Sequence, residues 1–241
     1  MSMIMSISAL PWALSEYRLC KRASLPGIWE NASGVTYSHE TGTIWVVSRS
    51  PLKLVEYDLD GNLMQEFDLP GMRDPEGVAW MWGGLFAVAE EASHIQLMNM
   101  KQGYMEETGR IWVELPGLEP NLGLEGLAFD LKHRCFYVVE EKNGKNVLQV
   151  SLSGRNKVLF KSHHLNIGDM AGIYYSNDNE SLFILSQESK TVSKVDLEGE
   201  LLESIGIAGV QPEGLTFSPD GERMIIVSEP NELYVYSAGP C

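Results

Sequence analysis

Cysteine is scarce in this 241-residue chain, with only Cys20, Cys135 and Cys241. An odd count at such wide spacing matches neither a disulfide framework nor a zinc site, so three free thiols in a reducing compartment are the simplest reading. No apolar run approaches the roughly 18 residues needed to cross a bilayer. The opening MSMIMSISAL lacks a basic stretch and does not form a secretory leader, so residues 1–16 are expected to be an N-terminal extension. As printed, the chain reads as cytoplasmic. Basic side chains are also few: 18 Lys and Arg stand against 33 Asp and Glu, a formal net charge of −15. That field repels phosphate backbones and anionic lipid, which argues against nucleic-acid partners and for cations. The five histidines show no His-x-His or His-x-x-x-His spacing, and neither a serine nucleophile elbow nor a phosphate-cradling loop occurs. Helical periodicity is missing throughout.

What is present is a repeat. Asn31-Ala32-Ser33-Gly34-Val35-Thr36-Tyr37 recurs as Asp74-Pro75-Glu76-Gly77-Val78-Ala79-Trp80 and as Gly123-Leu124-Glu125-Gly126-Leu127-Ala128-Phe129. It returns twice more, in Asp169-Met170-Ala171-Gly172-Ile173-Tyr174-Tyr175 and Gln211-Pro212-Glu213-Gly214-Leu215-Thr216-Phe217. The steps between the glycines are 43, 49, 46 and 42 residues. A period of roughly 40 to 50 built from short strands is the mark of a β-propeller. Each unit continues with a Gly-, Asn- or Asp-bearing turn, a nearly all-apolar strand such as CFYVVE or SLFILS, an alternating strand such as NVLQVSLSG, and an outer strand. The apolar second strand suits a blade covered on both faces by its neighbours.

The last unit stops after its third strand. The N-terminal Ser24-Leu25-Pro26-Gly27-Ile28 has the pattern that ends the first two outer strands, Asp68-Leu69-Pro70-Gly71-Met72 and Glu114-Leu115-Pro116-Gly117-Leu118. Residues of about 17–27 are therefore expected to complete the last blade, bringing Cys20 and Cys241 close. The expected fold is all-β, a single domain of five four-stranded blades closed by the N-terminal strand. A six-bladed ring is the alternative, although a sixth blade needs about 40 more residues.

Residues that differ between copies carry the functional hypothesis. The column before the repeat glycine reads Ser33, Glu76, Glu125, Ala171 and Glu213, and should ring one mouth of the central channel. Three glutamates converging there either raise a pKa or hold a cation, and hard oxygen donors favour Ca²⁺. A second column closes the second strand: Ser48, Glu90, Glu140, Ser186 and Ser228, followed by Arg49, Glu91, Glu141, Gln187 and Glu229. Side chains alternate along a strand, so only one of these two columns faces the site. Glu90 and Glu140 are the expected lining, with Arg49, Glu91, Glu141 and Glu229 nearby. Asp58-Leu59-Asp60-Gly61-Asn62 and Asp196-Leu197-Glu198-Gly199 resemble pieces of a calcium loop but lack its later ligands and read as hairpin turns.

The segments A-S-G-V-T-Y, W-V-V-S-R-S, E-Y-D-L-D-G-N, D-L-P-G-M-R-D-P-E-G-V-A-W and F-A-V-A-E-E together resemble the SdiA-regulated β-propeller family, over residues 17–236. The resemblance implies a calcium-associated propeller without an established biochemical role. It also implies a bacterial protein that is membrane-associated or periplasmic, in contrast to the cytoplasmic reading of the printed chain. A more distant similarity is to gluconolactonase-like and regucalcin-like propellers. In those, the acidic residue of a Glu-Gly motif helps hold a central metal, and Glu76, Glu125 and Glu213 match that motif. Three roles follow: a binding or sensory module, a metal-dependent hydrolase of a small ester, lactone or phosphoester, and a protein-interaction scaffold. A divalent cation is the expected partner, with a small molecule or protein at the channel mouth.

Overall fold

The computed structural model describes residues 13–91, 94–115, 123–140 and 145–241. Strand β1 (Arg18–Ser24) belongs to the last blade. The first blade is β2 (Glu30–Ser38), β3 (Thr43–Ser50), β4 (Leu52–Tyr57) and β5 (Leu63–Asp68). The second is β6 (Pro75–Trp82), β7 (Leu85–Glu90), β8 (His94–Lys101) and β9 (Tyr104–Trp112). The third is β10 (Leu124–Asp130), β11 (Cys135–Glu140), β12 (Asn146–Ser151) and β13 (Asn156–Lys161). The fourth is β14 (Gly172–Ser176), β15 (Ser181–Ser186), β16 (Thr191–Val195) and β17 (Leu201–Gly206). The fifth comprises β18 (Gln211–Phe217), β19 (Arg223–Glu229) and β20 (Glu232–Ser237), with β1 paired antiparallel to β20. The described residues thus form five four-stranded antiparallel sheets, as the repeat predicts, and the six-bladed alternative falls away.

Burial follows position in the blade. All six residues of β11 and of β15 are buried, because each lies between two neighbouring blades. The outer strands β5 and β17 are mostly exposed. The core is therefore five apolar layers, one at each blade-to-blade junction. The junction of the fifth and first blades contains Ile225, Val227, Val46 and Val55, and that of the third and fourth contains Tyr137, Val139, Ile173 and Ile184. The two calcium-loop look-alikes are turns: Asp58 accepts from the backbone N–H of Asp60 at 2.8 Å and Asn62 at 2.9 Å, and Asp196 does the same for Glu198 and Glu200.

The repeat glycine has a steric cause. A Cβ on Gly77 would lie 2.4 Å from the carbonyl oxygen of Glu125, and one on Gly126 would lie 2.6 Å from the amide nitrogen of Ile173. Gly34, Gly172 and Gly214 meet the next inner strand similarly, at 2.7–2.8 Å. Five inner strands converge to backbone contact at this level, and only glycine permits it. The cavity left among the ring glycines is about 10 Å³.

One expectation is corrected. Cys20 and Cys241 are not free thiols but a disulfide, with Cα atoms 5.4 Å apart, because β1 lies against β20 at the chain's end. Cys135 is free and buried. Ahead of β1, Leu14 is fully buried, and the amides of Leu14 and Ser15 donate to Glu203 at 2.7 and 2.6 Å. No helix among the described residues is long and apolar enough to cross a membrane.

Candidate functional site

The entry to four of the five inner strands is built by a bulge, while β14 pairs with β15 in regular register. The register of β2 with β3 shifts between Ala32 and Gly34, that of β6 with β7 between Pro75 and Gly77, and that of β18 with β19 between Pro212 and Gly214. In β10 the shift spans Glu125 and Gly126. The residue before the glycine is thus the extra residue of the bulge, released from the ladder and turned away from it. For Glu76, Glu125 and Glu213 the result is a shared opening. All three line one cavity of about 220 Å³ at the mouth of the channel.

Arg49, Glu91 and Glu229 line the same cavity, as do Asp74 and Asp169, which sequence reasoning did not single out. Both stand three residues before the repeat glycine, in the first column of the motif, where Asn31 occupies the corresponding place and also lines the cavity. Reading that column across the repeats as a functional column would have found them. Among the described residues the lining therefore holds seven carboxylates (Asp74, Glu76, Glu91, Glu125, Asp169, Glu213 and Glu229) and one guanidinium.

The electrostatics follow from that imbalance. Arg49 donates through one nitrogen to both oxygens of Asp74, at 2.7 and 2.8 Å. Asn31 donates to Glu229 at 2.7 Å. The Glu76 carboxyl is pushed up to about 9, first by burial, then by the negative charges of Glu125 and Asp74, and by a hydrogen bond to Asp74 that its protonated form makes. Asp169 is fully buried; its Oδ1 accepts from Ser186 at 2.6 Å and from the Glu188 amide at 3.0 Å. Its Oδ2 has no hydrogen-bond partner among the described residues. No three His, Cys, Asp or Glu side chains among the described residues stand close enough together to hold a metal ion as they are.

The second predicted column lies elsewhere. Ser48, Glu90, Glu140, Ser186 and Ser228 are buried and do not line the cavity, and neither does Ser33 of the first column. Most of them fasten the segment that leads into the inner strand. Glu90 accepts from the amides of Arg73 at 3.0 Å and Asp74 at 2.8 Å. Ser48 donates to the Glu30 carbonyl at 3.1 Å, and Ser228 accepts from the Gln211 amide at 3.1 Å. Glu140 accepts from Asn146, and burial raises its pKa despite that bond. The lining instead comes from the next residue along, Arg49, Glu91, Gln187 and Glu229. Glu141 lies outside the described residues.

Solved structures share the fold. The luciferin-regenerating enzyme superposes with a TM-score of 0.60 at 13% identity, covering 90% of this chain and 95% of its own. A calcium-binding protein, regucalcin from Agrobacterium tumefaciens, gives 0.57 at 13% identity, covering 92% and 96%. Virginiamycin B lyase from Staphylococcus aureus gives 0.56 at 14%, covering 92% and 99%. At such identities the likeness is one of architecture, not of chemistry. The profile of the SdiA-regulated family matches residues 10–237, nearly the whole chain, and this protein therefore belongs to the SdiA-regulated family.

Proposed function

We propose that this propeller is a binding module whose acidic channel mouth takes up a divalent cation, Ca²⁺ by the chemistry of its donors. The observation that carries the reading is the gathering of seven carboxylates and one guanidinium in a single 220 Å³ cavity. All the anionic donors there are hard oxygens, which suit Ca²⁺ rather than zinc or copper. Two further features support it. Glu76 is forced towards its neutral form by burial and then by the charges of Glu125 and Asp74, a cost that a cation between the carboxylates would relieve. Asp169 presents a buried, unpartnered Oδ2 at the same cavity. Glu76, Glu125 and Glu213 would hold the ion, with Asp169 beside them, after side-chain rotation within the cavity. Regucalcin, described as calcium-binding, shares the architecture.

The disulfide supports an oxidising compartment, outside the cytosol, over the cytoplasmic reading. Arg49 is engaged by Asp74, which weakens the case for a phosphoester substrate.

Calorimetric titration of the full chain with CaCl₂ tests the proposal. Saturable binding is expected, lost in Glu76→Gln/Glu213→Gln, together with a melting temperature that falls when a chelator is added. A wild-type melting temperature indifferent to chelator, with no heat of binding, would sink the cation site. Turnover on an esterase, lactonase and phosphodiesterase panel that vanishes in Glu76→Gln would replace the binding role with a hydrolytic one.

A further inference from the structure

Beyond the glycine ring, the channel opens at its other end into a second cavity of about 260 Å³. Its walls come from the residues one to six places past each repeat glycine, so it lies on the same axis as the acidic mouth but on the far side of the constriction. Tyr37, Trp80, Phe129 and Tyr174 line it, all partly accessible, with Val78, Leu127 and other aliphatic side chains deeper in. The aromatic column of the repeat therefore does more than pack the blades: part of it is left facing open space.

The charge on this lining is one-sided. Among the described residues it contains Asp178 at the rim and no lysine or arginine. His39 also lines the cavity, edge-on to Trp80 at 5.3 Å between ring centroids, and burial lowers its pKa towards the neutral imidazole. Aromatic walls, a single carboxylate and no cationic group suit a positively charged guest, since ring faces attract cations and a net charge of −15 raises their local concentration. Size sets the scale: a cavity of about 150 Å³ admits benzene, so this one accommodates a ring or a compact alkyl body bearing a headgroup.

We propose that the aromatic end of the channel is a second binding site, for a small organic cation carrying an ammonium group on an apolar body. It is separate from the acidic mouth, because the inner strands meet at backbone contact between the two and the cavity left among them, about 10 Å³, is too small to hold such a molecule.

Calorimetric titration of the full chain with benzyltrimethylammonium, benzyl alcohol and benzoate tests this. Saturable binding of the ammonium is expected, with the neutral alcohol about ten-fold weaker and benzoate weaker still. Trp80→Leu should weaken the ammonium about ten-fold. Asp178→Asn, an exposed rim change that leaves the blades intact, should weaken it several-fold and serves if Trp80→Leu fails to fold. Saturating CaCl₂ and the Glu76→Gln/Glu213→Gln pair should leave the ammonium affinity unchanged. No saturable ammonium binding, equal binding of all three probes, or loss of ammonium binding in the Glu76/Glu213 variant would each overturn the proposal. The last would place the guest in the acidic mouth.

Discussion

Glu76 is the residue at which the site's electrostatics meet. Its unfolded carboxyl titrates near 4.5, and in the fold it is raised to about 9. A group that holds its proton more tightly when folded contributes stability that is fully present below the lower value and is lost as pH rises through the upper one. In the presence of chelator, the melting temperature is expected to decline between about pH 5 and pH 9, more steeply in the wild type than in Glu76→Gln. The glutamine keeps the neutral hydrogen-bonding shape and cannot ionise, so at pH 8 it should be the more stable of the two without an ion and the poorer binder with one. Equal pH slopes in the two proteins would show that Glu76 ionises without cost. The residue scale is also where the sequence was hardest to read. The column of Glu76, Glu125 and Glu213 was visible because identical modules superpose by counting. The choice between Glu90 and Glu91 was not, because it rested on strand alternation. Strand β7 ends at Glu90, so Glu90 still obeys the ladder and points into the blade, while Glu91 is already in the loop and turns to the cavity. Asp74 and Asp169 were missed because their residue type is that of turn-forming aspartates, and only their shared place three residues before the repeat glycine sets them apart.

Among elements, the inner strand is the one under the tightest constraint. The period of its glycine was plain from spacing; the reason for it required knowing how near the next strand lies. Gly77→Ala would put a methyl 2.4 Å from a backbone oxygen that cannot move without displacing β10. A destabilisation of about 2–3 kcal/mol or more is expected, as for an overpacked core position. Gly206→Ala is the matched control, since a Cβ there meets nothing within 4 Å and its φ is not in the left-handed region. That change should be neutral or slightly stabilising through the unfolded state. Urea midpoints that coincide for the two variants would contradict the close-approach account. A similar argument covers the strand ends: Glu90→Ala removes the acceptor for two partly buried amides and should loosen the loop that carries Asp74 and Glu76, weakening cation binding although Glu90 does not line the cavity.

At the scale of the whole molecule, the ring is closed twice. Six residue pairs join β1 to β20, from Arg18 with Ser237 to Ser24 with Glu232. The Cys20–Cys241 bond then ties residues 221 apart in sequence across the same seam. Closure by the N-terminal strand was legible from the Leu-Pro-Gly pattern and the unfinished last unit, whereas the covalent bond depended on a register that no pattern fixes. A crosslink over so long a loop removes chain entropy from the unfolded state worth up to about 5 kcal/mol by the loop-closure account. The backbone pairing and the apolar layer of Leu25, Ile28, Val227 and Leu233 remain when the bond is cut, so the reduced protein should stay folded. Cys20→Ser/Cys241→Ser is therefore expected to keep its far-ultraviolet spectrum and its cation affinity while melting well below the oxidised wild type, by about 5–10 °C for a domain of this size. Removing residues 1–27 differs in kind: it strips the strand itself and leaves β20 as an unpaired edge, so aggregation rather than a lower melting point is the expected result. The two experiments separate the seam's components. If the double serine variant aggregates as the truncation does, the bond and not the strand pairing holds the ring shut; if the truncation stays monomeric and as stable as the full chain, β1 does not close it at all.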